Sequence, residues 1–298
     1  MRQKGRTDMD ELVRAMADNA QLRCFAIKTT EMVETARRAH DTFPVVTAAL
    51  GRLMSGAAMM ASMMDAEEGL LTLQVDGAGD VGGLVVTADA GGHVKGYAKN
   101  PAAICPASPA GKLDVGRIIG PGFLTVIRDT GNADPYNSRI ELVSGEIGDD
   151  LAQYFVASEQ VPSGVGLGVL MNRDNTVRVA GGFIIQLMPF ASDECVSRLE
   201  EALSRVTSVT ALLDAGIDPE EMLRSILKGV DVEITDRMPV AFRCNCSRNR
   251  VENALISLGR SQLEELAGDN EPIEMKCQFC NTAYSFSPLE IRELLNSL

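Results

Sequence analysis

The sequence predicts an α+β protein in three parts. An N-terminal domain of mainly antiparallel sheet with packed helices spans 1–190, a helical linker spans 191–232, and a small C-terminal domain spans 233–298. Three observations predict this. From Gly69 to Pro189 most apolar runs alternate with period two and are separated by Gly-, Asn- and Asp-containing turns, the pattern of hairpins. From 193 to 228 the period lengthens to that of amphipathic helices, and strand signals stop. After 233, four of the seven cysteines fall in two closely spaced pairs.

The elements follow in order. MDELVRAMADN (9–19) has a helical pattern, and QLRCFAIKTT (21–30) alternates like a strand. Thr30 suits the cap of a helix over 31–40, whose Arg37, Arg38 and His40 complement its C-terminal dipole. Pro44 opens a helix that is apolar or small nearly all round and is therefore expected at the centre of the domain. LLTLQVD, GGLVVTAD and HVKGYAK read as strands, followed by a Pro/Gly-rich connection over 100–121. FLTVIRD and SRIELV are further strands, and DDLAQYFVASEQ is a helix. VGLGVLM, an NRDN turn and TVRVAGGFIIQLMP form a hairpin. In the linker, Val196, Leu199, Leu203 and Val206 line one helix face; Met222, Leu223, Ile226 and Leu227 line another after Pro219. The last helix follows Pro288.

Composition narrows the function. Tryptophan is absent and aromatics make up 4%, so the core must be aliphatic, with fourteen methionines contributing. The net charge of −13 leaves no domain-sized basic segment, which argues against tight nucleic-acid binding, since that depends on neutralising phosphates. The N-terminus is charged and lacks an apolar run, so no signal peptide is expected. Pro44–Met64 is the nearest thing to a membrane span. Arg52 lies inside it and small residues dominate, so it reads as a buried core helix. A soluble, cytoplasmic protein without membrane partners is expected, and in that reducing compartment seven cysteines indicate metal or redox chemistry.

The C-terminal pairs are CNC at Cys244 and Cys246 and CQFC at Cys277 and Cys280. Each spacing lets two sulfurs reach one tetrahedral ion, and four soft thiolates favour zinc. The unit is small, so it needs such a staple. A disulfide closed across a C-x-C step would be strained, and strained disulfides are labile or regulatory. On spacing alone, a structural zinc ribbon with a short first knuckle stays open. The energetics allow a switch. Structural zinc contributes ~10–16 kcal/mol to the folding of such units, while a disulfide contributes ~2–4 kcal/mol. Loss of zinc should therefore unfold 233–298.

With these residues in view, the sequence resembles the redox-regulated heat-shock holdase family, the 33 kDa chaperonins (HslO). The resemblance spans nearly the whole chain. Besides CNC and CQFC it is carried by FAIKTTEMVETARRAH, TAALGRLMSGAAMM, KNP at 99–101, GKLDVGR, PYNSRIELVSGEIGDDLAQYF, PSGVGLGVLM and AGGFIIQLMP. It implies an ATP-independent chaperone, not an enzyme, with one Zn2+ per chain on Cys244, Cys246, Cys277 and Cys280 in the reduced state. Oxidation would form Cys244–Cys246 and Cys277–Cys280 disulfides, release zinc, unfold the linker and give a homodimer that holds unfolding client proteins. In the family the Cys277/Cys280 pair would sense peroxide first and the Cys244/Cys246 pair would respond to unfolding. Cys24, Cys105 and Cys195 lie outside the motif, and residues 1–8 have no counterpart role in the family.

Other signals carry less. Gly77, Gly79 and Gly82 spell G-x-G-x-x-G, but a strand follows where a dinucleotide site needs a helix, so a hairpin turn is expected. Glycines 164, 166 and 168 suggest strand packing. Cys105 with His93 could form a nucleophilic pair only through the fold. Asp149 and Asp150 suit a helix N-terminus. Two rival functions remain: a zinc ribbon that grips nucleic acid through Arg243, Arg248 and Arg250, and a thiol–disulfide oxidoreductase, which would want C-x-x-C at a helix start.

Overall fold

The computed structural model describes residues 9–64, 69–131, 134–268 and 271–296. Residues 1–8, for which the sequence suggests no role, lie outside them. The chain forms two compact units, Met1–Arg243 and Cys244–Leu298. In the first, β1 (Glu11–Ala17), β2 (Leu22–Lys28), α1 (Thr30–His40) and α2 (Pro44–Ala61) lead into β3 (Leu70–Gly77), β4 (Leu84–Asp89) and β5 (His93–Ala98). Then come α3 (Val115–Ile119), β6 (Gly122–Asp129), β7 (Tyr136–Glu141) and α4 (Gly148–Tyr154), which runs on as a wide turn through Glu159. The strands β8 (Ser163–Met171) and β9 (Val177–Leu187) follow, then helices α5 (Asp193–Ser204), α6 (Val209–Asp214) and α7 (Pro219–Ile226). The unit closes with β10 (Val232–Pro239) and β11 (Ala241–Phe242).

The strands make two sheets, ordered β10-β1-β2-β9-β8 and β11-β5-β4-β3-β6-β7. Every pairing is antiparallel except β11 with β5. Helix α2 packs on strands of both sheets. Val46, Leu50, Leu53, Met54 and Met59 are buried there, which is why the segment is apolar all round. It is long and apolar enough to cross a membrane by composition, yet 89% of its span is buried inside this unit.

Three expectations change. Residues 11–17 are a strand, not a helix. Glu, Leu, Arg, Ala and Met favour helix, but β1 is paired on both sides, by β10 and β2, and that pairing overrides local preference. Asp18, Asn19 and Ala20, all at positive φ, turn the chain into β2. Helix α1 is not capped by Thr30. The buried Asp10 carboxylate accepts the Met32 amide at 2.6 Å instead. Residues 233–242, expected in the C-terminal part, extend the sheets of the first unit: β10 runs Glu11↔Pro239 through Ala17↔Val232 along β1.

The linker helices pack within the first unit too. Cys195, Leu199, Leu213, Met222, Leu223 and Ile226 are buried in a second core with Val13, Ala15, Cys24 and Ile185 of the five-stranded sheet. Ser192, Ser208 and Asp218 cap the three helices by accepting the amides of Cys195, Ala211 and Glu221. Arg198 of α5 pairs with the nearly buried Asp18 at 2.5 Å. Arg237 of β10 pairs with Glu220 of α7.

The glycine motif is structural. A Cβ on Gly77 would lie 2.1 Å from the Ile119 carbonyl oxygen, and one on Gly79 would lie 2.4 Å from that of Ile118. Only glycine lets the β3 end approach α3 so closely.

Candidate metal centre

The second unit begins at Cys244. It contains α8 (Arg248–Ser257), α9 (Arg260–Gly268), the hairpin β12 (Ile273–Lys276) with β13 (Ala283–Phe286), and α10 (Pro288–Asn296). Its core is thin: Leu255, Leu263, Ala267, Phe286 and Ile291 are the buried apolar residues among those described. Ser247, just after CNC, caps α8 through the Arg250 amide. CQFC occupies the turn of the hairpin. There Asn281 N–H donates to the Cys277 carbonyl at 2.7 Å and Cys277 N–H donates to that of Thr282 at 3.0 Å. Asn281 takes the left-handed conformation that closes the turn.

These two local structures bring all four sequence-predicted ligands together. The sulfurs of Cys244, Cys246, Cys277 and Cys280 lie within 4.8 Å of one another, all half-buried, as thiols. Cys244 Sγ is 3.7 Å from Cys277 Sγ, and Cys246 Sγ is 3.4 Å from Cys280 Sγ. Each near contact thus joins one member of CNC to one member of CQFC. Four convergent sulfurs of this kind can hold a metal ion.

Their acidities differ. Burial pushes Cys244 up to about 12, and burial raises Cys246 as well. Burial alone would also raise Cys280. Hydrogen bonds from the Thr282 hydroxyl and amide, and from Cys246 and Cys244, outweigh it and bring Cys280 down to about 7. Thr282 Oγ1 lies 3.1 Å from Cys280 Sγ, and the Tyr284 hydroxyl donates to Cys246 Sγ at 3.1 Å. Sequence reasoning missed both residues. The available signal was their closeness to CQFC in sequence: Thr282 lies just before β13, and Tyr284 lies within it, opposite Met275.

The remaining cysteines are elsewhere. Cys24 and Cys195 are fully buried in the second core of the first unit, and burial holds them at about 12 and about 11. Cys105 Sγ lies 3.4 Å from the Asp114 carbonyl. His93 engages Asp89 at 3.1 Å and Arg243 at 3.1 Å, so the two do not form a nucleophilic pair. Asp150 uses its carboxylate to accept the amides of Val143, Ser144, Gly145 and Ile147 around the start of α4.

Of the arginines near CNC, Arg248 stacks 4.3 Å over the Phe286 ring and pairs with Glu290 and Glu252. That engagement counts against a phosphate-gripping role. CQFC sits in a hairpin turn, whereas an oxidoreductase places C-x-x-C in a βαβ frame.

The family model described as Hsp33 protein matches residues 10–287. The chain belongs to the Hsp33 family. The 33 kDa chaperonin of Lachnoclostridium phytofermentans is 54% identical over 286 residues, which covers 96% of this chain and 98% of that protein. That of Geobacillus kaustophilus is 43% identical over 286 residues, covering 96% and 97%. The crystal structure of the 33 kDa chaperonin (heat shock protein 33 homolog) from Thermotoga maritima matches with a TM-score of 0.88 at 32% identity, over 97% of this chain and 98% of that one. Membership in the Hsp33 family makes this a chaperone, and its four-cysteine cluster lies in the C-terminal unit.

Proposed function

We propose that this chain is a redox-switched, ATP-independent holdase of the cytoplasm. Cys244, Cys246, Cys277 and Cys280 hold one Zn2+ while reduced. The observation that carries the reading is the convergence of four half-buried thiols in a unit with so thin a core. A tetrahedral ion with Zn–S bonds of ~2.3 Å sets its sulfurs ~3.8 Å apart, close to the separations of 3.4 and 3.7 Å. Bound zinc supplies folding free energy to this unit and keeps the sulfurs as thiolates.

Cys280, in the CQFC turn that the family resemblance makes the first to sense peroxide, is the first nucleophile. Its thiolate attacks one peroxide oxygen, the O–O bond breaks, and hydroxide leaves and is protonated to water. The sulfenic acid then condenses with Cys277, losing a second water and forming Cys277–Cys280. Unfolding exposes Cys244 and Cys246 to the same sequence, giving Cys244–Cys246. The four sulfurs then no longer offer thiolates to the ion.

Unfolding of the second unit reaches the linker through the chain itself. Only Arg243 separates Cys244 from β11, a strand of two residues; Ala241 N–H donates to the Gly92 carbonyl and Arg243 N–H to that of Val94. Release of β11 and then β10 removes the strand whose Arg237 pairs with α7. The apolar faces of α5 and α7, and the sheet beneath them, then hold unfolding clients, with a homodimer as the active form. Peroxide at elevated temperature should release zinc and make the protein suppress aggregation of an unfolding test protein. Zinc release with undiminished aggregation would contradict the holdase reading.

A further inference from the structure

Strand β11 pairs with β5 over two residues, Ala241 opposite His93 and Phe242 opposite Val94. Two backbone bonds hold it there, from Ala241 N–H to the Gly92 carbonyl at 3.0 Å and from Arg243 N–H to that of Val94 at 2.9 Å. A side-chain contact adds a third tie: Arg243 Nη1 lies 3.1 Å from His93 Nε2. A guanidinium carries donors only, so Nε2 is the acceptor and bears no proton. The ring proton then sits on Nδ1, which donates to Asp89 Oδ2 at 3.1 Å. Asp89, at the end of β4, is itself fixed, because its other oxygen accepts the amides of Gly91 and His93 at 2.9 and 3.0 Å. No carboxylate pairs with Arg243 among the described residues, and His93 is the acceptor its guanidinium meets. Lys95 lies two residues further along β5, on the face of the strand that carries His93. Val94 points the other way, into the core that Met32 and Val33 of α1 also enter. On α1, Glu31, Glu34, Arg37 and Arg38 pair with one another, and His40 is the remaining titratable group. Before β11, Val240 N–H donates to the Asp10 carbonyl at 3.2 Å.

We propose that His93 is a proton-operated clasp on β11. While the ring is neutral, Nε2 accepts from Arg243 and the clasp is closed. A proton on Nε2 sets N–H against N–H and one positive charge against another. Asp89 keeps hold of the imidazolium through Nδ1, so it is Arg243 that lets go. Lys95 adds to the positive charge on that face. Histidine is the side chain whose charge ordinarily changes between about pH 5 and 8, so mild acid opens the clasp. The strand is then left with its two backbone bonds. Cys244 is the residue after Arg243, so acid would loosen the same exit through which loss of zinc is to reach the linker. That consequence rests on the proposed function, whereas the clasp itself does not.

Amide exchange at residues 241 and 243 reads the clasp directly and needs neither oxidant nor client. Reduced full-length protein with zinc supplied is followed from about pH 7.5 to about pH 5.5, and each rate is divided by the intrinsic rate at that pH. Protection of these two amides should fall about three- to tenfold across the range, as loss of one hydrogen bond allows. Leu73 and Val126, in the middle of the same sheet, should show no such fall. His93→Gln keeps a neutral acceptor but takes no proton, so protection at 241 and 243 should stay level. Protonation of the thiols and of Asp10 is common to both proteins, so the difference between them isolates His93. Arg243→Met removes the donor. Its two amides should already stand at the low level near pH 7.5 and respond no further. The proposal is overturned if the unaltered protein loses no more protection than His93→Gln does. A full response retained in Arg243→Met overturns it as well.

Discussion

The Tyr284 hydroxyl donates to Cys246 Sγ across 3.1 Å, tying the hairpin that carries CQFC to the CNC segment. That hydrogen bond, followed by burial, raises the tyrosine to about 12, as expected of a phenol that donates to sulfur. Groups that hydrogen-bond to metal ligands orient them and tune affinity. Tyr284→Phe keeps the ring and removes the donor. Zinc affinity, measured by competition with a chelator, should fall about 10- to 100-fold, while far-UV circular dichroism of the loaded protein is unchanged.

Asp10 should make the first unit's stability depend on pH. Burial raises its carboxyl from 3.8 to about 6, against the pull of the Met32 and Glu31 amides. The folded state therefore binds this proton more tightly than the unfolded state does. The contribution is fully present below 3.8 and is lost as pH rises through about 6. It amounts to about 3 kcal/mol. Denaturant unfolding of the unaltered protein minus that of Asp10→Asn should show this slope between pH ~4 and ~6 and flatten above it.

Gly79→Ala should destabilise the first unit by about 1–3 kcal/mol, because the added methyl would sit 2.4 Å from the Ile118 carbonyl oxygen. The melting temperature reads the loss. Zinc content at low temperature should be unaffected.

Leu223 of α7 is wholly buried against the five-stranded sheet. Leu223→Ala should cost about 2–5 kcal/mol and loosen the linker without oxidation. On the proposed function, the reduced, zinc-loaded variant then suppresses aggregation of an unfolding test protein more strongly than the unaltered protein does. A loosened linker with no gain in suppression would move the client face elsewhere.

The metal cluster was legible because C-x-C and C-x-x-C are local patterns with one strong chemical use. Pro44, Pro219 and the Asn172–Asn175 turn also act where the sequence puts them. What escaped depends on distant pairing. Residues 11–17 have helix-forming side chains, and only β2 and β10, the latter more than 200 positions away, make them a strand. The same pairing draws 233–242 out of the C-terminal part. Tyr284 and Thr282 become visible as partners of sulfur only once the register of β12 on β13 is known.

Hydrogen exchange, followed together with zinc release, tests the central claim most directly. Zinc-loaded protein is treated with peroxide at elevated temperature, and amide protection is read by mass spectrometry. The proposed zinc switch predicts that protection across 244–298 falls with zinc release and that β11, β10 and the helices α5–α7 follow, while α2 stays protected. Departure of zinc with α5–α7 still protected, and clients nonetheless held, would contradict it.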